Sequence, residues 1–300
     1  MQRTEMAEVT AALVKTLRDM TGAGIVACRN ALTETGGDLD AAVERLRAAD
    51  TSKAVSKAER TAKEGLVGVL VEGNGGAVLQ LDAETDFVTR SEPFRGAAAA
   101  LTRTAKDVRG DRAALLAAPA PDGIGTVADL IARLIARTGE QIVVRRCAFL
   151  STARGTLASY VHNAVAPGLG TIGVLVAIES SGDPVVVADL GHRMAMQIAA
   201  SAPLWPSTQD VPADVIAAKR AELAAQAGKS GKPEHIVAAM VEGRLRKYVQ
   251  QVVLAMQPYV LDLDRTVKDA LDEAARNAGA PIAVRQFVRY RTGQEGAELS

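Results

Sequence analysis

Aromatic side chains are scarce in this chain: its 300 residues include four Phe, four Tyr and one Trp. There are two cysteines and three histidines, and 35 basic groups balance 35 acidic ones, leaving no net charge. Each shortage excludes something. Cys28 and Cys147 stand far apart, outside any C-x-x-C or metal-spaced cluster, and are expected as reduced thiols. His162, His192 and His235 are scattered and no G-x-S-x-G elbow accompanies them, so neither a metal centre nor a hydrolase follows. A neutral chain lacks the basic footprint that sequence-independent nucleic-acid binding needs. No apolar run approaches the ~20 residues of a membrane span, and Met1 to Thr10 has neither a basic segment nor an apolar signal core, so a soluble, cytoplasmic protein is expected. The G-x-x-x-x-G-K-[ST] loop that cradles a triphosphate is also missing, and no cofactor is expected.

What is present is alanine, 56 residues of it. Alanine favours helices and lets them approach closely. The length suggests about two domains at roughly 150 residues each, and Leu, Ile, Val and Phe at roughly a quarter of the chain are enough for a globular core.

Apolar spacing predicts three short helices in residues 1 to 50, with faces formed by Val9, Leu13 and Leu17, by Ile25, Cys28 and Leu32, and by Leu39, Val43 and Leu46. Glycines at 22, 24, 36 and 37 separate them, and Asp38 is placed to cap the third. The expected organisation is a three-helix domain over 1–53 and a polar, partly helical linker over 54–63. A first α+β half over 64–140 and a second over 141–211 follow, then a helical hairpin over 212–256 and a return to the core over 257–300. In the first half, strands at 66–72 and 77–84 flank Gly73-Asn74-Gly75-Gly76, where Asn and Gly would supply the positive φ angles of a tight hairpin. Helices follow from Ser91 and from Val127. In the second half, strand-like runs at 141–150, 156–162 and 171–179 precede a helix opened by Asp183-Pro184. Two long helical patterns meet at Gly228 to Pro233 and should pack antiparallel as a protruding hairpin. A helix from Thr266 and a strand from Ile282 then complete the second sheet. The likeness of Val67-Gly68-Val69-Leu70-Val71 to Ile172-Gly173-Val174-Leu175-Val176 suggests an internal duplication. The fold class is therefore α+β with antiparallel sheets.

Two glycine patterns invite a dinucleotide reading: Gly168-x-Gly170-x-x-Gly173, and Gly22-x-Gly24 with Ala27. Dinucleotide binding requires a strand before the glycines and a helix after them, so that the helix N-terminus faces the pyrophosphate. Neither pattern has that context, and the glycines read as turns. The segment Thr85-Asp86-Phe87-Val88 is more informative, because it sets an acid and a large aromatic on a connecting loop. In so aromatic-poor a chain Phe87 is either an interface anchor or a cap on its own core.

Thr21-Gly22-Ala23-Gly24, Thr85-Asp86-Phe87-Val88 and Tyr160-Val161-His162 occur in that order, accompanied by Gly139-Glu140-Gln141-Ile142, Arg145-Arg146, Ala199 to Pro203, Asp210-Val211-Pro212, Gly231-Lys232-Pro233 and Val241 to Arg244. With these the chain resembles the bacterial elongation factor Ts family, nucleotide-exchange factors for elongation factor Tu. The resemblance implies a ubiquitin-associated-like N-terminal bundle and a non-enzymatic protein whose partner is GDP-bound elongation factor Tu. It implies that Lys15, Arg18, Ile25 and Val26 meet the partner's nucleotide-binding domain. Core packing competes for Ile25, but adjacent Val26 cannot share its face, so at least one should be free. It further implies that Phe87 wedges between partner helices near the magnesium site while Asp86 fixes the loop, and that Gly139, Tyr160 and His162 touch the partner's third domain. The chain departs from its relatives at Ala83, often small and polar or cysteine, and at Gln197, histidine in some. It is also expected to lack the C-terminal helical extension that some relatives carry. A passive scaffold without exchange activity is the alternative, and the hairpin is a possible homodimer contact.

Overall fold

Capping and turn chemistry set the first three helices, α1 (Ala11–Thr21), α2 (Ile25–Glu34) and α3 (Leu39–Lys57). The Thr10 hydroxyl accepts from the Leu13 N–H, Gly22 closes α1 in the left-handed region at φ 69°, and the Asp38 carboxylate accepts from the Ala41 N–H. Val14, Leu17, Cys28, Leu32, Ala42 and Leu46 form the core of the bundle. The computed structural model describes residues 9–229 and 233–294. The expected connection and family match at 230–232, and the tail beyond Gln294, lie outside the described residues. One difference from expectation matters. Ile25 is exposed, so Cys28 and Leu32 carry the inner face of α2 without it. α3 runs past residue 53 to Lys57 and gives the polar linker the helical start expected of it.

Two antiparallel sheets follow. In the first, β1 (Glu64–Glu72), β2 (Gly75–Ala83), β3 (Ile142–Ser151) and the short β5 (Leu169–Gly170) lie in the order β3-β2-β1-β5; in the second, β4 (Thr156–His162), β6 (Ile172–Ser180) and β9 (Ile282–Arg291) lie in the order β4-β6-β9. The β1–β2 hairpin closes through Gly73-Asn74, with Gly75 already paired to Glu72. Of these residues only Gly73 takes a positive φ, 61°, so the turn needs one left-handed residue rather than several.

The sheets face each other. Alternate residues of β2 point to opposite sides: Ala77, Leu79, Leu81 and Ala83 pack on helices, whereas Val78 packs toward the second sheet. In β6, Val174, Val176 and Ile178 meet helices while Leu175 and Ala177 join Val67, Val69, Val78 and Leu150 between the sheets. Outside the first sheet lie α4 (Asp86–Arg90), α5 (Glu92–Asp107), α6 (Arg112–Ala117) and α7 (Val127–Thr138); outside the second lie α8 (Pro184–Ser201) and α11 (Val267–Ala278). The result is four layers, helix, sheet, sheet, helix. Gly173 sits at the centre of the contact, where a Cβ would lie 2.5 Å from Val67 Cγ1 and 2.6 Å from Val69 Cγ2.

A polar cluster shares that inner face. The register of β2 against β3 slips after Gln80, so that Gln80 opposes Arg146 and Leu81 opposes Val144, leaving Arg145 as a bulged residue. The bulge turns both neighbouring arginines to one side. Arg145 Nε donates to the buried Asp82 at 2.8 Å and Arg146 Nε to Gln80 Oε1 at 2.9 Å. The Arg146 guanidinium also lies 4.1 Å from the centre of the Tyr290 ring, which joins the two sheets.

The strand expected to open the second half, β3, belongs to the first sheet, because it pairs with β2 over its whole length. The change of sheet therefore comes after Ser151 and not near residue 140. The duplication is also different from the one suggested by Val67 to Val71 and Ile172 to Val176. Those segments lie in β1, which starts its hairpin, and in β6, the centre of its sheet; the counterpart of β6 is β2. The better repeat runs from Thr126-Val127, Asp129, Gly139, Ile142, Val144 and Arg145 to Thr266-Val267, Asp269, Gly279, Ile282, Val284 and Arg285. Each set opens on a reciprocal Thr–Asp capping box, ends its helix on a left-handed glycine and enters a third strand that bulges at the arginine.

Beyond α8, a short 3-10 turn leads to the hairpin of α9 (Ala213–Gly228) and α10 (Glu234–Val252), whose seam is Leu223, Ala227, Val241 and Leu245. Trp205 bridges to Val253 at its base. The chain re-enters through β7 (Pro258–Tyr259) and β8 (Asp262–Thr266). Gln197 is fully buried: its amide donates to the Pro258 carbonyl at 3.1 Å and its Oε1 accepts from the Val260 N–H at 2.8 Å. It ties this return segment to α8 and is not a surface contact. Burial raises both cysteine pKa values, that of Cys147 to about 11, so both thiols stay protonated at neutral pH.

The crowding at Gly173 gives a first prediction. Gly173→Ala should lose about 1–3 kcal/mol through overpacking, read as a lower urea midpoint with an unchanged slope. A midpoint equal to wild type would show that the sheets do not meet there.

Candidate partner-binding surfaces

The segment from Thr85 to Val88 is not an open loop: Asp86 to Arg90 form a single helical turn, α4, with Thr85 at its N-cap. Its anchor comes from the end of α7. The Glu140 carboxylate accepts from the Thr85 N–H at 3.0 Å and from the Thr85 hydroxyl at 2.6 Å. The reverse bond is made one residue away on each side, the Gln141 N–H donating to Glu84 Oε1 at 2.6 Å. Arg60 approaches the other oxygen of Glu84 at 3.5 Å. The junction between β2 and α4 is thereby stapled to the junction between α7 and β3 by charge-assisted bonds.

On this platform neighbouring side chains part ways. Val88 is buried against the core that contains Phe94 and Leu101. Phe87 is 82% exposed. The choice left open by the sequence is settled for exposure, and Val88 is the residue that caps the core. The Asp86 carboxylate pairs with Arg90 at 2.8 Å within the turn, and Glu140 holds its N-cap. Ser91 stands at the N-cap of α5, but its hydroxyl donates to the Val88 carbonyl and makes no side-chain cap bond. Gly139, which the resemblance groups with Tyr160 and His162, is the left-handed cap of α7 at φ 78° and directly precedes Glu140.

The N-terminal bundle carries a second surface. Lys15 and Arg18 lie on the outer side of α1, and Ile25 and Val26 are 53% and 72% exposed at the start of α2. Both apolar residues are exposed, which meets the expectation of at least one, because Gly24 begins the helix and the first turn projects beyond the bundle core. Met20 is also exposed, so apolar side chains bracket the α1–α2 turn. The sequence reading missed Met20; the signal available was that it lies off the face of Val14, Leu17 and Thr21.

A third surface is a cleft of about 790 Å³ beside β4. Tyr160 and His162 line it, with the phenol oxygen 3.3 Å from His162 Nδ1, and the His192 ring meets Tyr160 edge-on with centres 6.1 Å apart. Arg289 and Arg291 supply positive charge, and Val260 and Leu261 supply the apolar wall. Burial lowers the Arg289 pKa, and repulsion from Arg291 and Arg146 adds to it.

Among the described residues no group of three or more His, Cys, Asp or Glu side chains could hold a metal, and no helix is long and apolar enough to cross a membrane. Both glycine patterns are structural: Gly22 and Gly168 take left-handed φ angles, and Gly170 and Gly173 lie where a Cβ would strike neighbouring strands.

The family model "Elongation factor TS" matches residues 84–294. The elongation factor Ts of Rhodospirillum rubrum is 46% identical over 294 residues, covering 98% of this chain and 95% of that protein. That of Caulobacter sp. (strain K31) is 47% identical over 297 residues, covering 98% and 94%, and that of Parvibaculum lavamentivorans is 43% identical over 293 residues, covering 98% and 95%. Similarity at this level along nearly the whole chain, with an exposed Phe87 on a stapled turn, makes the protein a member of the elongation factor Ts family.

Proposed function

We propose that the protein is a cytoplasmic, non-enzymatic exchange factor that binds GDP-bound elongation factor Tu and promotes GDP release during translation elongation. The observation that carries this reading is Phe87, left in water on a helical turn that Glu140 holds in place. A phenyl ring kept out of a core forgoes about 1.5–3 kcal/mol of burial. That loss is recovered where a partner supplies the pocket, which is how aromatic anchors dominate interfaces.

The wedge works by displacement. Phe87 enters between partner helices near the magnesium site, and moving those helices loosens the ion and the phosphate cradle together. Asp86 and Thr85 act through the shape of the turn, and Val88 acts as its root in the core. The bundle surface at Lys15, Arg18, Ile25 and Val26 holds the nucleotide-binding domain. The cleft at Tyr160 and His162 receives the third domain, and Gly139 serves the Phe87 corner. Linkage makes the effect reciprocal, since a factor that weakens GDP binding is itself expelled by GDP with the same free energy. A coupling of about 5.5 kcal/mol would correspond to a 10⁴-fold change in affinity. The hairpin devotes its apolar seam to its own two helices, so a homodimer formed through it would use the outer faces.

Release of a fluorescent GDP analogue from elongation factor Tu should accelerate when the protein is added. Binding without acceleration would favour the passive scaffold, and no binding would end the family-based reading of the partner. Phe87→Ala should lower the plateau rate of release by about 10²-fold or more, on the scale of a hot-spot residue, with the thermal midpoint unchanged. Glu140→Gln keeps an acceptor for Thr85 but removes the charge, at a cost of about 1 kcal/mol in the clamp. It should slow release about fivefold; a variant as fast as wild type would mean that the clamp has no part in presenting Phe87.

A further inference from the structure

The bundle surface and the Phe87 corner lie on different units, and α3 belongs to both. Ala42 and Leu46 enter the bundle core, whereas Ala54, further along the same helix, packs on the core of the first half. Positions 43, 47, 50, 54 and 57 advance in steps of four and three, which makes one stripe along a helix. Val43, Arg47 and Asp50 of that stripe share a small cavity of about 160 Å³ with Ile124, Ala132 and Arg133, between α3 and α7.

The stripe is held at two points. Arg47 Nε donates to Asp129 Oδ1 at 2.8 Å, in the first turn of α7. Lys57 Nζ donates to the carbonyl of Gly139, which caps the other end of that helix. The two Asp129 oxygens divide the work, Oδ2 accepting from the Thr126 N–H and hydroxyl while Oδ1 takes Arg47. The Lys57 ammonium meets the negative end of the α7 dipole. The ten steps from Arg47 to Lys57 rise about 15 Å, close to the roughly 18 Å length of α7, so the helices run parallel and are fastened at both ends. From Gly139 the chain passes directly to Glu140, the clamp on Thr85.

We propose that α3, strapped along α7 through Arg47 and Lys57, is a positioning device that sets the Lys15, Arg18, Ile25 and Val26 surface at a fixed place relative to Phe87. The proposal rests on the exchange reading above. A partner then meets both surfaces as one template, and the second contact forms at high effective concentration. A loosened bundle would have to be ordered during binding, which weakens association. What Phe87 does after docking would not change.

The test uses the full chain carrying Arg47→Glu and Lys57→Gln together. The first change sets a carboxylate against Asp129 while leaving the Thr126 cap, and the second removes the strap on Gly139. The concentration of protein giving half-maximal GDP release from elongation factor Tu should rise about tenfold, with the plateau rate within about twofold of wild type. Backbone ¹⁵N relaxation should give one rotational correlation time for bundle and core in the wild type, and a shorter one for the bundle in the variant. Where the double variant does not fold, Arg47→Gln alone should raise the half-maximal concentration about twofold to threefold, on the scale of an exposed ion pair. An unchanged half-maximal concentration in a variant whose bundle tumbles freely would overturn the proposal, as would independent tumbling in the wild type. A rise without freer tumbling would mean that these side chains touch the partner themselves, and a fall in plateau rate alone would place them in the exchange step; both outcomes overturn a positioning role. If the wild type itself does not speed GDP release, the exchange reading fails, while the relaxation comparison still decides whether the strap exists.

Discussion

The two-sided burial of β2 and β6 is the constraint on which the other layers depend. A strand covered on both faces cannot sit at the surface of its domain, so each needs helices on one side and the opposing sheet on the other. That requirement explains the glycine at 173, where strand approaches strand, and the alternation of helix-facing with sheet-facing residues along both strands. It also explains the bulges. Where β3 must bring two successive arginines to the polar part of the inner face, an extra residue shifts the alternation, and Asp82 and Gln80 receive them there. An Asp82 carboxylate so nearly removed from water is tolerable because the Arg145 guanidinium and the Gln80 amide both donate to it.

With the layers fixed, their corner becomes a mount. The end of β2 and the start of β3 are adjacent in the sheet, so Glu84 and Glu140 can each bond the other's segment. The short helix between Thr85 and Ser91 inherits that rigidity. It sends Val88 inward and Phe87 outward, and the same turn thus provides its own root and its own tip.

Features written in neighbouring residues were legible. The Asp38 and Asp183 caps, the αL glycine after α1, the first hairpin and the paired helices of the second half follow from local chemistry. The sheet to which 142–151 belongs was not, because pairing is decided across helices and an alternating strand fits either sheet equally well. The Thr-Val-x-Asp repeat was visible but less conspicuous than the valine-rich runs, which compare strands in different topological places. For α4, five residues are too few to show a helical period. For the site, the motif residues were in view, but the exposure of Phe87 depends on Val88 filling the adjacent core. Glu140 escaped notice as a clamp because its partner is remote in sequence. Ile25 was misread since apolar spacing cannot tell the last buried turn from a first turn that overhangs.

The third strand of each sheet arrives late. Sheet one gains β3 after α4 to α7 and the short β5 just before β6, whereas sheet two gains β9 only after α8 to α11 and the long hairpin. On a growing chain the first half can therefore close while the second still lacks an edge partner for β6, a strand with an apolar inner face. The first sheet covers that inner face, and β9 pairs the edge of β6 that β4 leaves open. The face of β6 and its open edge are thus served by different parts of the chain, the face by the opposing sheet and the edge by β9.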